Sequence, residues 1–193
     1  MAKVVVKSKV KKAKRKYPVE IRAPEFLGSV VLGKSSVSDL DKLVGKTSKM
    51  NLMYVTGSAK NQNIRLTFKI DEVSSGLANT IVKVYEQIPY YLGRFVRKGS
   101  ELVEDSFTVT TKDGYNLRVK PFIVTKKNTT NLVSSALRKR VKELVEERCA
   151  AENYSEFMSS VIYSRVQNSF KNELRTVYPL KTFEFKKVEV ISQ

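Results

Sequence analysis

Apolar and polar side chains alternate on both sides of an Asp-Gly pair in residues 107–122, FTVTTKDGYNLRVKPF. This pattern predicts a β-hairpin. A two-residue turn would pair Val109 with Arg118, whereas a three-residue loop pairs Val109 with Leu117 and separates an apolar face from a polar one. The second register also predicts the pairs Phe107 with Val119 and Thr108 with Arg118. We therefore expect a type I turn in which Gly114 adopts the left-handed conformation and closes a bulge.

Further strands follow from the same period of two. Alternation is strict over residues 64–70. The residues expected to face the core are Ile64, Leu66, Phe68 and Ile70, and those expected to face solvent are Arg65, Thr67 and Lys69. Strand-like runs from Thr47 onward include 52–55, and another strand is expected at 79–85. In the closing segment TFEFKKVEVI, the phase of the apolar residues changes at Lys186-Lys187, which predicts a bulge there.

Two helices are predicted after the hairpin by a period near 3.6. The first begins at Thr129 or Thr130 and runs to about Ala151. Its apolar stripe is Val133, Ala136, Leu137, Val141 and Leu144. The second begins with a capping box of Asn153 and Glu156 and continues until Pro179. Its stripe is Tyr154, Phe157, Met158, Val161, Ile162, Val166, Phe170, Leu174 and Val177. Because the four-residue spacing makes this stripe wander, its two halves should meet different neighbours.

Shorter helical pieces are expected in two places, one turn over residues 38–43 and a short helix after residue 89 that breaks at Lys98-Gly99. The order of elements, strands over 18–125, then two helices and one late strand, places the chain in the α+β class. No repeat or linker divides it. We therefore expect one domain, residues 17–193, preceded by a tail, residues 1–16.

The charge is strongly basic, with 36 Lys and Arg against 19 Asp and Glu, a formal net charge of +17. Such a field attracts polyanions, of which nucleic acid is the commonest, with an anionic membrane surface as the rival. No run of about 18 apolar residues is present to span a bilayer. A secretory signal pattern is also lacking, so we expect a cytoplasmic location.

The absence of some residue types excludes several kinds of catalytic and metal-binding site. With no His and only Cys149 as a thiol, the chain cannot form a Cys-His zinc site, a Ser-His-Asp triad or an internal disulfide. Cys149 is expected to be a packing residue. The carboxylates Glu101, Glu104 and Asp105 lack a metal-ligand pattern and are expected to be a solvated approach to a strand. We expect no enzyme activity, cofactor or metal.

Candidate RNA-binding residues form several basic groups. The tail, expected to be disordered when free, contributes Lys3, Lys7, Lys9, Lys11, Lys12, Lys14, Arg15 and Lys16. The short helix contributes Arg94, Arg97 and Lys98. The hairpin contributes Arg118 and Lys120, and the first long helix contributes Arg138, Lys139 and Lys142. In this helix the cations lie near the N-terminal end and the acids near the C-terminal end, whereas the helix dipole favours the reverse order. The cations are therefore expected to bind a partner.

We expect the hairpin cations and the helix cations to form one continuous phosphate-binding surface. Only residues 123–129 separate the two elements, and the helix must bury its apolar stripe against the sheet. Arg140 falls near the edge of that stripe and is expected to be structural. Ion pairs with Glu143, Glu146 and Glu147, or cations on opposite sides of the molecule, would contradict a shared surface.

Several motifs resemble the ribosomal S3Ae family, a small-subunit protein family of archaea and eukaryotes whose eukaryotic members are also called the v-fos transformation effector. They are RAPEFLG (22–28), YLGRFVRKG (91–99), TTKDGYNLRVKPF (110–122), SSALRKRVKELVEE (134–147) and Tyr178-Pro179-Leu180. The chain ends soon after its last strand, without the extension of eukaryotic members, so the resemblance indicates an archaeal-type protein.

The resemblance implies an antiparallel β-barrel with two C-terminal helices packed beside it and a final strand. It also implies a non-enzymatic constituent of the small ribosomal subunit on the platform near the mRNA exit. The partners so implied are small-subunit ribosomal RNA, neighbouring ribosomal proteins and mRNA near the exit, with no membrane. Ribosomal RNA contact carries over onto Arg118, Lys120, Arg138 and Lys139.

Two alternatives remain at this stage. A free-standing barrel that binds RNA or single strands would expose Tyr or Phe on one sheet face among the basic residues. A nuclease or phosphotransferase would need clustered carboxylates that hold Mg²⁺, and the sequence offers no such cluster.

Overall fold

Nine strands and five helices make up the part of the chain that the computed structural model describes, residues 16–74 and 76–192. The strands are β1 (Tyr17–Arg22), β2 (Val31–Val37), β3 (Thr47–Asn51), β4 (Ile64–Ser74), β5 (Leu77–Gln87), β6 (Leu102–Glu104), β7 (Phe107–Thr110), β8 (Asn116–Thr125) and β9 (Leu180–Ser192). The helices are α1 (Leu52–Thr56), α2 (Pro89–Gly93), α3 (Asn131–Ala151), α4 (Tyr154–Ile162) and α5 (Arg165–Leu174). The order of elements confirms the α+β class.

The strands form one sheet in the order β2-β1-β5-β9-β8-β6, with β4 and β3 attached to β5 and β7 attached to β8. All pairs are antiparallel except β1 with β5, which is parallel. The predicted antiparallel barrel is not confirmed, because these pairings leave the sheet open. At one end, β6 and β7 contact α3 instead of pairing with a further strand.

The hairpin has the predicted register, with Val109 opposite Leu117, Phe107 opposite Val119 and Thr108 opposite Arg118. The loop is the predicted turn, because the Gly114 amide donates to the Thr111 carbonyl at 3.0 Å. Gly114 has φ +82°, so its left-handed conformation is also confirmed.

Bulges decide which way several strand residues face. In β9, Lys120 is opposite Lys187 but Pro121 is opposite Phe185, so Lys186 is the extra residue of the predicted bulge. In β4, the pairing shifts between Thr67 and Phe68. The extra residue there is Lys83 of β5, so the alternation along β4 is unchanged. Thr67 is nevertheless buried, and its predicted exposure to solvent was wrong.

Residues 52–55 lie in helix α1 and do not form the predicted strand. The Asn51 side-chain oxygen accepts a hydrogen bond from the Met53 amide at 2.9 Å, and Gly57 ends the helix at φ +67°. This capping favours a helix over the strand that the apolar run suggested. The helix predicted between residues 89 and 98 is also shorter than expected, since α2 ends at Gly93.

Helix α3 has the predicted extent, with Thr130 at its N-cap position but no hydrogen bond from the Thr130 side chain. Its buried stripe runs through Leu137, Val141, Leu144, Val145 and Cys149. Most of these buried residues are four positions apart, from Leu137 to Cys149, and Ala136 lies beside this row. Ala136 is exposed, so its assignment to the stripe was wrong. The thiol is fully buried as predicted, and burial raises its pKa to about 12.

The second predicted helix is two helices, because Ser164 takes a left-handed conformation, φ +58°, and turns the chain between α4 and α5. The predicted capping box is present at the start of α4, where the Asn153 amide donates to the Glu156 carboxylate at 3.2 Å. The halves meet different neighbours as expected: α4 contacts the turn at Glu25–Leu27 and α5 contacts β9. Val177 lies beyond α5 and is exposed, against its predicted burial.

The sheet buries residues on both of its faces. Helices α3, α4 and α5 enclose the main core with one face, whose largest buried side chains include Phe157, Phe183 and Phe185. On β8, Val119 belongs to that core, whereas Phe122 and Val124 belong to a second cluster with Leu92 of α2. Because side chains alternate along a strand, this second cluster lies on the opposite, outer face. Segment 89–98 therefore covers part of the same face as Arg118 and Lys120.

Candidate nucleic-acid interface

The outer face of β8 and β9 carries a group of cations. Arg118 is opposite Thr108 on one side and opposite Glu189 on the other, and Lys120 is opposite Lys187. The intervening Val119 is fully buried, which holds Arg118 and Lys120 outward. No ion pair within 4.0 Å reaches either cation from the rest of residues 16–74 and 76–192.

One carboxylate lies among these cations. Lys187 Nζ is 2.8 Å from Glu189 Oε2. This hydrogen bond is the main reason that the pKa of Glu189 is lowered, and the charges of Lys187, Arg118 and Lys83 lower it further. Glu189 therefore stays ionised but is outnumbered, and the face keeps an excess of positive charge.

Helix α3 reaches this region at Glu104, the last residue of β6. Arg138 Nε donates to the Glu104 carbonyl oxygen at 3.2 Å, while Lys186 Nζ lies 2.8 Å from Glu104 Oε1. Lys186 adjoins Lys187, which is opposite Lys120. The structure thus brings Arg138 of α3 and Lys186 of β9 to the same residue, Glu104.

The other cations of α3 differ in whether a carboxylate pairs with them. Lys139 is exposed and has no ion pair with the residues that are described. Lys142 Nζ lies 3.7 Å from Glu146 Oε1, and Arg140 lies 3.1 Å from Glu143 Oε2. The pair with Glu146 is one of those expected to contradict a shared surface, so Lys142 does not support that expectation, and its contact with RNA stays a prediction. An exposed pair of this kind contributes little stability.

The segment after α2 adds three exposed cations, of which Arg94 is held in place by aromatic rings. Its guanidinium carbon lies 4.0 Å from the centre of the Tyr91 ring and 5.0 Å from that of Phe95. Cation–π contacts of this kind orient a guanidinium. Arg97 and Lys98 follow in a turn closed by Ser100.

The tail cations from Lys3 to Arg15 lie outside the described residues, and Lys16 is exposed immediately before β1. Sequence reasoning missed Lys186, Lys187 and Glu104 as members of the basic surface. Lys186-Lys187 was recognised only as a bulge. Its place beside Lys120 depends on the pairing of β8 with β9, two strands far apart in the sequence.

Among residues 16–74 and 76–192, no group of three or more His, Cys, Asp or Glu side chains is arranged to hold a metal ion. None of the helices in these ranges is long and apolar enough to cross a membrane.

Comparison with known proteins gives consistent results. The family model described as "Ribosomal S3Ae family" matches residues 5–193. A protein of Haloarcula marismortui, named small ribosomal subunit protein eS1, is 36% identical over 180 residues, 93% of this chain and 84% of that protein. Proteins of the same name from Halorubrum lacusprofundi and Archaeoglobus fulgidus are 32% and 30% identical, over 94% and 89% of this chain and 83% and 82% of their own lengths.

Proposed function

Because this chain belongs to the ribosomal S3Ae family, we propose that it is a structural, non-enzymatic component of the small ribosomal subunit that binds ribosomal RNA. The observation that supports RNA binding is a group of cations around Glu104 and on the outer face of β8 and β9. We call this group the basic surface. The cations that the structure brings together are Arg118, Lys120, Arg138, Lys186 and Lys187, and Lys139 and Lys142 are predicted to extend this surface along α3. Arg94, Arg97 and Lys98 border the same face and extend it.

The basic surface binds RNA through phosphates rather than through base edges. Arg118 and Lys120 project from a rigid strand, and Arg138 is held by the Glu104 carbonyl, so several cations are positioned before RNA arrives. Contacts to phosphate fix register and orientation but carry no sequence information. The protein therefore reads the shape and backbone of folded RNA.

The basic tail, Lys3 to Lys16, completes this role by contacting further phosphate groups. The location that fits the family resemblance is the platform of the small subunit near the mRNA exit, in the cytoplasm. Neighbouring ribosomal proteins are then direct partners, and mRNA near the exit is a further one.

A double charge reversal, Arg118→Glu with Arg138→Glu, tests the basic surface. We expect strongly reduced binding to purified small-subunit ribosomal RNA and reduced incorporation into subunits that are washed in high salt, with thermal unfolding nearly unchanged. The control is Lys49→Glu with Arg175→Glu, which changes the net charge equally at exposed positions on β3 and after α5. Equal losses in the two double variants would show that only net charge matters and would contradict a defined surface.

Exposed aromatic residues do not favour a free-standing single-strand binder that uses the sheet face. The most exposed are Tyr90 and Tyr54, at 91% and 72%, and they lie on α2 and α1. None of the described Tyr or Phe side chains lies exposed between Arg118 and Lys120 on the sheet. Co-sedimentation of the native protein with small subunits after a high-salt wash separates the two functions.

A further inference from the structure

A cleft of about 290 Å³, lined by both polar and apolar side chains, lies where the turn before β4, the ends of β5 and α4, helix α2 and strand β9 meet. Its lining includes Lys60, Asn61, Gln87, Tyr91, Tyr163 and Glu184. None of these residues belongs to the basic surface, although Tyr91 contacts Arg94, which borders it. A cleft of this size accommodates one planar heterocycle rather than a peptide or a helix.

Two hydrogen-bond acceptors are built into the cleft. Glu184 Oε2 accepts from Gln87 Nε2 at 2.9 Å, and the same Gln87 nitrogen donates to the Tyr85 hydroxyl at 3.2 Å. Gln87 is only 4% exposed, yet its Oε1 has no hydrogen-bond partner among the described residues. Glu184 Oε1 likewise receives no hydrogen bond from them. Buried polar groups are normally paired, so unpaired acceptors indicate a donor that is missing from the free protein.

Flat side chains and cations surround these acceptors. Tyr163 is 47% exposed, and the Arg165 guanidinium carbon lies 5.8 Å from the centre of its ring. Tyr91 also lines the cleft, and the Arg94 guanidinium carbon lies 4.0 Å from the centre of its ring. Lys60 is exposed at the rim. Tyrosine rings and guanidinium planes are the surfaces on which unstacked RNA bases lie, and the cations can contact the flanking phosphates.

We propose that this cleft binds a single unpaired guanine of RNA, with its ring against Tyr163 and its Watson–Crick edge towards Glu184. Guanine carries two adjacent donors on that edge, N1–H and the 2-amino group, and a carboxylate accepts both. Adenine presents N1 there as an acceptor, which the Glu184 carboxylate would repel. This inference rests on the proposed RNA-binding function and adds a base-specific contact to it.

The full chain can be titrated with three labelled nine-nucleotide RNAs, in which four uridines flank a central guanine, adenine or inosine on each side. Fluorescence anisotropy measures each affinity. We expect guanine to bind about tenfold more tightly than adenine, the order of one good two-bond base contact. Inosine lacks the 2-amino group and should fall between them. Equal affinities for guanine and adenine would overturn the proposal.

Variants locate the site on the protein. Tyr163→Ala should weaken the guanine RNA about tenfold, the order of one lost stacking contact. Tyr90→Ala removes an even more exposed tyrosine outside the cleft and should leave the affinity unchanged. Glu184→Gln should abolish the preference for guanine over adenine. Equal effects of the two tyrosine changes, or a guanine preference that survives Glu184→Gln, would contradict the assignment.

Two further comparisons keep the outcomes distinct. If Glu184→Gln does not fold, the guanine-to-inosine ratio of the unaltered protein tests the same hydrogen bond. Ribosomal RNA binding by the Arg118→Glu, Arg138→Glu protein reports on the basic surface separately. Loss of that binding without any guanine preference would refute guanine binding in the cleft and support the proposed function. A guanine preference without such a loss would support the cleft and refute the basic surface.

Discussion

At the scale of single residues, Gly114 shows how one backbone conformation sets a register. Its φ of +82° belongs to the left-handed region, and a Cβ placed on it would meet no atom within 4 Å. A side chain at this position therefore costs backbone energy without a steric clash. The three-residue loop, and with it the outward position of Arg118, depends on this residue.

Gly114→Val should lower the free energy of unfolding by about 1–2 kcal/mol, because a β-branched residue is strained in the left-handed region. Urea unfolding measures this loss. The matched control is Gly33→Val in β2, where φ is not positive and a Cβ also meets no atom within 4 Å. That change should be neutral or slightly stabilising. Equal destabilisation by both would show that the turn is not the cause.

Glu184 should make stability depend on pH in an unusual direction. Burial raises its pKa above the ordinary value of 4.5, although the Gln87 hydrogen bond and the Lys171 charge oppose this. The folded protein therefore binds this proton more tightly than the unfolded chain does. The contribution of Glu184 to stability is complete below the unfolded pKa and is lost as pH rises through the raised folded pKa.

Glu184→Gln removes this titration, so the stability of the variant relative to the unaltered protein should increase as the pH rises above the ordinary carboxyl pKa and through the raised pKa of the folded protein. Urea unfolding at several pH values measures the difference. Glu20→Gln should show the opposite trend, since the hydrogen bond from Lys34 lowers the pKa of Glu20. Parallel pH profiles for the Glu184→Gln variant and the unaltered protein would contradict the assigned direction.

At the scale of elements, the hairpin loop connects two helices. The Lys112 amide donates to the Cys149 carbonyl near the end of α3 at 3.1 Å. Asp113 Oδ2 accepts from the Tyr154 amide at the start of α4 at 3.2 Å. Helix ends leave such groups without partners inside the helix, so the loop satisfies one group at each of two helix ends. A carboxylate at the start of α4 also suits the helix dipole.

Asp113→Ala should therefore destabilise the protein by about 1 kcal/mol, the typical cost of a lost N-terminal cap. Asp113→Asn keeps an acceptor oxygen and should cost less. Urea unfolding measures both, and hydrogen exchange of the Tyr154 amide should quicken more in the alanine variant. No change in that amide would show that the carboxylate does not hold the helix start.

At the scale of the whole molecule, charge dominates. The formal net charge is +17, and eight of the cations lie in residues 1–16. Further cations come together around Glu104 and Glu189 in the part of the chain that the structure describes. A large uncompensated charge repels itself in the free protein and is relieved on a polyanion.

Deletion of residues 2–16 should flatten the dependence of log K on log salt for ribosomal RNA binding by several units. Each lost phosphate contact lowers the slope by about 0.7–0.9. Thermal unfolding should change little. A scrambled tail that keeps the eight cations should restore the slope, because the interaction depends on charge. An unchanged slope after deletion would mean that the tail contacts no phosphate.

The local sequence was sufficient wherever neighbouring residues decide the structure. The hairpin register, Gly114, the bulge at Lys186 and the extent of α3 follow from alternation, turn chemistry and helix period, which involve residues close in the chain. The helical state of 52–55 escaped prediction although its Asn51 cap was visible, because short apolar runs suit either a strand or a helix.

Contacts between residues far apart in the sequence decided the sheet topology and the make-up of the candidate sites. The open sheet depends on which strands pair, and local patterns do not specify pairing between β5 and β9 or between β8 and β9. The meeting of Arg138 and Lys186 at Glu104, and the cleft around Gln87 and Glu184, join residues far apart in sequence. Composition alone indicated a basic protein that binds a polyanion. Only the tertiary structure determined which cations share a surface, because that depends on how distant segments pack together.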